Sequence, residues 1–477
     1  MTHAAWDWKT HITTEPKEEI FDCQVAEFLI TRGRSVPSQE VVLLKYGVTT
    51  LDQLAEKQRE KLAESPELLQ YFQDTEMAVS RVLFHMERTG IHLDADALRA
   101  LGEELDEELA KLSQTMMSEV GYEINLNSSS QIGEYLAGKL GVPLSKTKTG
   151  KYATNINEIS QFAEQFPFIK SLLTYRELAK LRSTYIDTLI ASVADDGRIH
   201  TSYSQVAANT GRLSSSNPNL QNIPVSSEYG LKIKSCFKAT EGKTFVSFDY
   251  SQQELRVLAH LTQEPGLISA FKAKQDVHRT TASQLFGVAY DDVTKEQRMI
   301  SKTINFGVIY GMSAFGMSAQ LHIPVEDAQA FIHAFYKTYP NIRKYYDQYL
   351  KQGAMNGYVE TVLGRQRYVF EKLGQKTIDN GMRRVLINYP VQGSAADLMK
   401  KAMIDVHAQV VEKNPDVQLL LQIHDDLVFE VTDDPQVIEQ MMEQVRAIMC
   451  HVYPLAVPIE VDVKVGKEWG EMEKVEG

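Results

Sequence analysis

One stretch limits the folds open to this chain more than any other: Leu419-Leu-Leu-Gln422-Ile-His424-Asp425-Asp426-Leu-Val-Phe-Glu430-Val. Two apolar runs flank a polar tripeptide. This predicts a β-hairpin with His424, Asp425 and Asp426 at or near its turn. Adjacent carboxylates repel each other. Held between two buried strands, they make sense where a divalent cation neutralises them. Plain turn residues on a surface hairpin are the alternative reading.

A second acid stands 176 residues earlier, at the end of another apolar run. Thr244 to Phe248 predicts a buried strand that delivers Asp249 to the rim of a sheet. After it come Tyr250, Gln252, Glu254 and Arg256, and the spacing of Leu255, Leu258, Ala259 and Leu261 is helical. Helix capping by Asp249 or Ser251 is the ordinary reading of such a position. Taken with Asp425, a sharper one arises. Carboxylates from two strand ends can share two magnesium ions about 3.5–4 Å apart, the arrangement used for phosphoryl transfer.

Arg298, Lys302, Phe306 and Tyr310 recur every four residues in a segment that opens with Thr294 and Gln297, spaced as a capping box. Steps of four keep all of them on one stripe of a helix. Two cations followed by two aromatics suit a nucleoside triphosphate, with phosphates at one end and base at the other. An ordinary amphipathic helix is the alternative, although such a stripe makes a poor core face. Thr210-Gly-Arg212-Leu-Ser-Ser-Ser-Asn217-Pro-Asn219-Leu-Gln221-Asn222 is dense in small polar residues. It offers donors to sugar, phosphate and minor-groove acceptors, or else is a solvated loop. Asn388-Tyr-Pro-Val-Gln392-Gly-Ser-Ala-Ala-Asp397 reads as a strand-to-helix turn.

Elsewhere, amphipathic helices are predicted over about 94–120 and 166–189. A loop between them carries Lys139, Lys146, Lys148 and Lys151 among glycines and threonines. The result is a protruding arm with a basic tip. The first 78 residues look like short helical pieces broken at Arg32-Gly33 and Pro37. The three cysteines, Cys23, Cys236 and Cys450, are far apart, which excludes a zinc ribbon or disulfide framework and fits a reducing cytoplasm. No run approaches 18 apolar residues, and Met1 to Glu19 is polar, so neither a membrane span nor a signal peptide is expected.

Together these segments resemble family A DNA polymerases, the class of bacterial DNA polymerase I. Asp249-Tyr-Ser-Gln-Gln-Glu254-Leu-Arg256 resembles motif A. Arg298-x3-Lys302-x3-Phe306-x3-Tyr310-Gly311 resembles motif B, and His424-Asp425-Asp426 resembles motif C, in the right order. The resemblance runs from about Glu76 to the C-terminus. It implies an α+β right-hand fold: an antiparallel palm sheet with helical fingers and thumb. The palm is expected at 191–260 and 387–477, the fingers at 261–386, and the first palm helix with the thumb at 79–190.

The implied activity is template-directed DNA synthesis, adding dNTPs to a primer 3′-OH, by a monomer acting on primer-template DNA. Mg²⁺ would be used as two ions, with Mn²⁺ able to substitute. The implied metal ligands are Asp249, the Tyr250 carbonyl, Asp425 and Asp426. Lys302 is also the implied proton donor to pyrophosphate. Gln252, Glu254, His278, Arg298, Lys302, Phe306 and Tyr310 are implied around the dNTP, with Glu254 crowding a 2′-hydroxyl. Arg212, Asn219, Asn222, Arg256, Asn388, Gln392, His424, Lys146, Lys148 and Lys151 are implied along the primer-template. A single-subunit RNA polymerase or a reverse-transcribing variant of the same fold is the alternative, and a non-catalytic DNA-binding scaffold a more distant one.

Two residues depart from the family pattern. Asp426 stands where Glu is usual, and Gln253 where an apolar residue is usual. The N-terminal 78 residues are too few for a full 3′–5′ exonuclease domain. Phe21 to Ile30 resembles the end of one, which suggests a vestige or a truncation point and no proofreading.

Charge sharpens the picture. The whole chain carries −13, which argues against a uniformly basic nucleic-acid coat. By segment, residues 1–138 carry −13, residues 139–386 carry +10, and residues 387–477 carry −10. A basic cleft on an acidic body is expected, with the duplex lying along residues 139–386.

Overall fold

A computed structural model describes residues 3–12, 14, 19–225, 227–370 and 377–475. Met1 and Glu15 of the polar N-terminal stretch lie outside them. At the centre is a five-stranded antiparallel sheet ordered 417–423, 426–432, 243–250, 461–466, 473–475. The hairpin predicted around His424-Asp425-Asp426 is its edge pair. The strand predicted before Asp249, observed as Lys243–Tyr250, is its middle.

Both faces of this sheet are covered, and the period of two decides which side chains meet which core. Val246, Phe248 and Tyr250 share one face with Leu427, Phe429 and Val463, in the largest core. Helices Gln253–Thr262, Asn380–Val406 and Pro435–Cys450 pack there. Phe245 and Val428 face a second core with Phe237, Trp469 and Leu105. On this face the middle strand reads Phe245, Ser247, Asp249, passing from buried ring to half-buried carboxylate, so the acids come out at the rim.

The 94–120 prediction is met by one helix, Ala95–Val120, whose N-cap Asp94 accepts from the Ala97 N–H. Its partner begins as Pro167–Lys180 and continues through a π-helical turn to Ala191. Lys146, Lys148 and Lys151 are exposed in the loop region between these helices, and Lys146 bridges to Tyr152. The capping box at Thr294 and Gln297 is present at the start of helix Lys295–Ile309.

One prediction fails. Asn388 to Asp397 is not a strand-to-helix turn. It lies inside a continuous helix, Asn380–Val406, with Pro390 in its interior. Proline costs about 3 kcal/mol in a helix interior by local propensity. Here Leu386, Tyr389, Val391, Leu398, Met399 and Met403 are all buried against the sheet and its neighbours, and that burial overrides the local signal.

The first 78 residues form more than helical pieces. Strands His3–Ala5 and Ile20–Asp22 pair in parallel, and the helices around them share a core including Phe21, Phe28, Leu54 and Phe72. Trp8 stacks on Phe84 and donates its indole N–H to Ser80, which ties this segment to helix Ala78–Thr89.

Candidate active site

The sheet register assembles the acids. Asp426 lies directly opposite Asp249 on one side, and Asp462 directly opposite it on the other. Cross-strand partners share a face, so the three carboxylates line up across three strands at the same rim. Asp425 sits in the turn, and its carbonyl accepts from the Tyr250 N–H at 3.0 Å. Asp249 is not a cap: the following helix starts at Gln253 after Gln252, without a side-chain capping bond.

These carboxylates are poorly compensated by the protein. Asp249, Asp425 and Asp426 have no ion pair within 4 Å among the described residues, while Asp462 pairs with Lys474 at 2.7 Å. Asp426 Oδ1 is buried and accepts no hydrogen bond. Burial, then repulsion from Asp249, pushes Asp426 up to about 7. Burial is also the main cause that raises Asp425 to about 6, with Glu254 and Asp249 adding to it and Arg212 opposing. Asp249 is raised by burial too, against the pull of Lys464. Uncompensated carboxylates with an orphaned oxygen suit a hard divalent cation. Among the described residues, no three His, Cys, Asp or Glu side chains already converge as a cation cage. Oxygens of a bound substrate would have to complete one.

Beside the acids, Glu254 joins three distant segments. Arg212 Nη2 donates to its Oε1 at 2.5 Å, and the Tyr310 hydroxyl donates to its Oε2 at 2.6 Å. The predicted stripe is intact. Phe306 and Tyr310 stack with centroids 6.1 Å apart, and His278 lies 5.5 Å from Phe306. Lys302 is exposed, and Arg298 Nε donates to Asp276 at 2.6 Å. Burial chiefly lowers His278 to about 4, so its imidazole is neutral near pH 7. Asn305 pairs with its Nδ1 at 2.9 Å. The motif residues thus form one surface: a carboxylate rim, a bridging glutamate and a cationic, aromatic helix. A cavity of about 210 Å³ lined by Arg212, Gln221, Gln422, His424 and Asp425 opens at the acids.

Other predicted residues fall less simply. His424 is exposed at the turn in a left-handed conformation (φ 53°). Asn219 and Asn222 are exposed, and Gln392 is half-buried. Arg256 is the clear correction. It is 2 % exposed, and its guanidinium is taken up by the Ser251 and Pro458 carbonyls and by Glu460, over the Phe271 ring. It ties helix Gln253–Thr262 to the segment just before strand Val461–Gly466 and has no face for a duplex. The Asn388 amide lies 2.7 Å from the Ile309 carbonyl, and in the orientation that satisfies both groups its nitrogen donates there and fastens the end of the cationic helix. Gln253 is buried with neither amide atom bonded, and Gln252 Oε1 is buried without a partner as well.

Sequence reasoning missed Asp462, Lys234 and Lys464. The alternation Ile459-Glu-Val-Asp462-Val-Lys464-Val does carry the signal for two of them, since it sets Asp462 and Lys464 on Asp249's face. Lys234 had no local signal. Its Nζ sits over Trp469 at 4.2 Å, and burial lowers its pKa while Asp426 and Asp249 oppose the shift.

Chemically, this surface can hold phosphates between fixed cations and ion-binding carboxylates. That defines a class by fold and charge: an α+β protein with a carboxylate rim beside a cationic, aromatic helix. A family model described as DNA polymerase family A matches residues 95–471, and the chain belongs to that family. It is 45 % identical over 406 residues to the thermostable DNA polymerase I of Thermus aquaticus, covering 84 % of this chain and 48 % of that protein. It is 39 % identical over 443 residues to DNA polymerase I of Bacillus subtilis, covering 91 % of this chain and 50 % of that one. A solved structure, the POL domain of Pol1 from M. smegmatis in complex with DNA primer-template and dNTP, is 36 % identical. It matches with a TM-score of 0.88 over 94 % of this chain and 82 % of that one. The chain spans about half the length of the curated relatives it matches. The fold is therefore the expected α+β polymerase domain. No helix among the described residues is long and apolar enough to cross a membrane.

Proposed function

We propose that this chain is a DNA-directed DNA polymerase that adds dNTPs to a primer 3′-OH. The observation that carries the reading is the register that sets Asp249 opposite Asp426, beside Asp425, and within a Glu254–Tyr310 bond of the Arg298–Lys302 helix. Asp249 and Asp425 would hold the ions, with Asp426 and the Tyr250 carbonyl alongside. Two Mg²⁺ ions, when bound, lower the pKa of the primer hydroxyl and neutralise the triphosphate. Mn²⁺ has the same charge and would serve in their place.

Arg298 and Lys302 bind the triphosphate electrostatically, and neutral His278 supplies a ring nitrogen rather than a charge. Lys302 would also give a proton to the departing pyrophosphate. Phe306 packs on sugar and base. Tyr310, held by Glu254 in this structure, occupies the place a templating base would take when the helix is swung open. Closure of the 261–386 segment would then assemble the site around a well-shaped base pair, which makes selection a matter of fit. Gln252, three residues after Asp249, would meet the nucleotide beside the acids. Arg212 and Gln392 would read the minor groove, with Asn219, Asn222 and His424 near the primer.

Primer extension on DNA and RNA templates, with dNTPs or rNTPs, tests this reading. A polymerase reading requires Mg²⁺-dependent extension. Preference for dNTPs over rNTPs by more than about 100-fold separates it from the RNA polymerase alternative. Glu254→Ala is expected to erode that preference, because the carboxylate that crowds the 2′-hydroxyl is gone. An unchanged ratio would contradict the role.

DNA affinity is expected to fall steeply with salt. Each phosphate neutralised contributes about −0.9 to the slope of log K against log salt. Replacing Lys146, Lys148 and Lys151 together by alanine should therefore make the slope shallower by about 2–3 in fluorescence anisotropy. An unchanged slope would take the basic tip out of the interface.

We infer no 3′–5′ degradation from this chain. Two Asp-x-Glu pairs, Asp74/Glu76 and Asp106/Glu108, have the spacing of exonuclease carboxylates, but Glu76 is buried and bonded to Lys400 at 2.6 Å, and Asp106 is paired with Arg182 at 3.0 Å. An Mg²⁺-dependent exonuclease activity that persists in Asp249→Ala would overturn this.

A further inference from the structure

Arg365 is 1 % exposed and lies just before the short strand Gln366–Tyr368, far in sequence from every motif residue. Every nitrogen of its guanidinium is used. Nε donates to Asp397 at 2.8 Å and Nη1 to the Tyr389 hydroxyl at 2.9 Å. Nη2 donates to two backbone carbonyls, Thr210 at 2.6 Å and Gly393 at 3.1 Å.

Those two carbonyls are the notable partners. Thr210 is two residues before Arg212, and Gly393 directly follows Gln392. One nitrogen thus joins the backbones of the two side chains proposed above for the minor groove. The fit is close. Gly211 has φ +80°, and a Cβ there would lie 2.3 Å from the guanidinium carbon. A Cβ on Gly393 would lie 3.1 Å from Nη2.

The guanidinium is itself anchored. Asp397 is fully buried, and its other oxygen accepts from the Thr361 hydroxyl at 2.5 Å. The Tyr71 hydroxyl lies 2.7 Å from Asp397 and 3.0 Å from Glu76, which Lys400 and Gln205 also hold. A planar, always-charged fork in a dry, fully bonded network has one low-energy orientation. Lysine keeps the charge but cannot reach Asp397 and both carbonyls at once.

We propose that Arg365 is a positioning residue for primer-template recognition: it fixes Arg212 and Gln392 relative to each other so that both meet the same duplex. The proposal rests on the polymerase reading above. It makes the Asp397 and Tyr389 bonds of that guanidinium a support for the duplex-binding surface, while Tyr71 and Glu76 beyond them serve the fold.

The test measures the Kd for a primer-template duplex and the KM for dNTP at saturating duplex. Arg365→Lys is expected to raise the duplex Kd about tenfold, the size of one lost charge-assisted hydrogen bond, with dNTP KM within about twofold of wild type. In an Arg212→Ala background, Arg365→Lys should weaken the duplex much less, because it acts through Arg212. Tyr71→Phe loosens the far side of Asp397 while leaving both carbonyl bonds, and should lower thermal stability without moving the duplex Kd.

Equal effects of Arg365→Lys with and without Arg212, or duplex Kd changes that track stability across these variants, would overturn the proposal. If Arg365→Lys does not fold, Tyr389→Phe releases Nη1 and the Arg365 carbonyl while leaving the Asp397, Thr210 and Gly393 bonds, and is expected to act in the same direction, more weakly. An unchanged duplex Kd in that variant counts against the proposal. Failure of the wild-type chain to bind or extend a primer would instead defeat the polymerase reading itself.

Discussion

Replacing Asp425 by alanine is expected to lower the rate of primer extension by at least about 10³-fold, with Asp249→Ala at least as severe. Each tenfold step is about 1.4 kcal/mol of transition-state stabilisation. A carboxylate that holds the charge needed at the reacting phosphate supplies several such steps. The structure says why no neighbour replaces either one. Asp462 is already paired with Lys474, and Asp426 points one oxygen into a site with no protein donor. Removing Asp425 also relieves repulsion among the remaining acids, so thermal stability should hold or rise while activity disappears. A variant that loses both together would speak for a structural role.

The second large effect is on stability. Lys400→Met is expected to cost about 3–5 kcal/mol, because it leaves Glu76 charged and buried without its cation. Both side chains are 1 % exposed, and the Lys400 cation is what holds Glu76 below the usual carboxylate range against its burial. Glu76→Gln combined with Lys400→Met should recover part of the loss, since a neutral pair strands no charge. Thermal or urea unfolding of the two variants beside wild type measures this. A single variant as stable as wild type would mean that the pair is not the lock it looks to be.

The outline of the proposed site was legible because its signals are local. An acid pair between two apolar runs makes a hairpin whatever surrounds it. Thr294 and Gln297 cap a helix by reaching three residues. Arg298, Lys302, Phe306 and Tyr310 share a stripe through helical geometry alone. What escaped notice depends on contacts between distant parts of the chain. Pro390 signals a break, but the helix continues because its apolar face is buried against the sheet. Arg256 reads as a candidate DNA contact beside Glu254, yet Pro458 and Glu460, in the loop before strand Val461–Gly466, take up its guanidinium. Glu76 and Lys400 are 324 residues apart, and nothing near either announces the other. Arg365 shows the same limit: its partners are carbonyls, which every residue has, and only the folded chain tells which two it joins.

The charge of the chain illustrates the same point at a coarser scale. A total of −13 looks unsuited to a polyanionic partner, yet residues 139–386 carry +10 and contain the exposed Lys146, Lys148, Lys151 and Lys302. The acidic excess of the last 91 residues includes Asp425, Asp426 and Asp462, the side chains that gather at the sheet rim.

The most direct measurement is extension of a labelled DNA primer on a DNA template with dNTPs and Mg²⁺, comparing the wild-type chain with Asp425→Ala. Template-directed extension by the wild type, absent from the variant although it still binds the duplex, is the result expected of a polymerase whose chemistry depends on the hairpin carboxylate. Extension undiminished in Asp425→Ala, or none from a wild-type chain that binds the duplex, would contradict it.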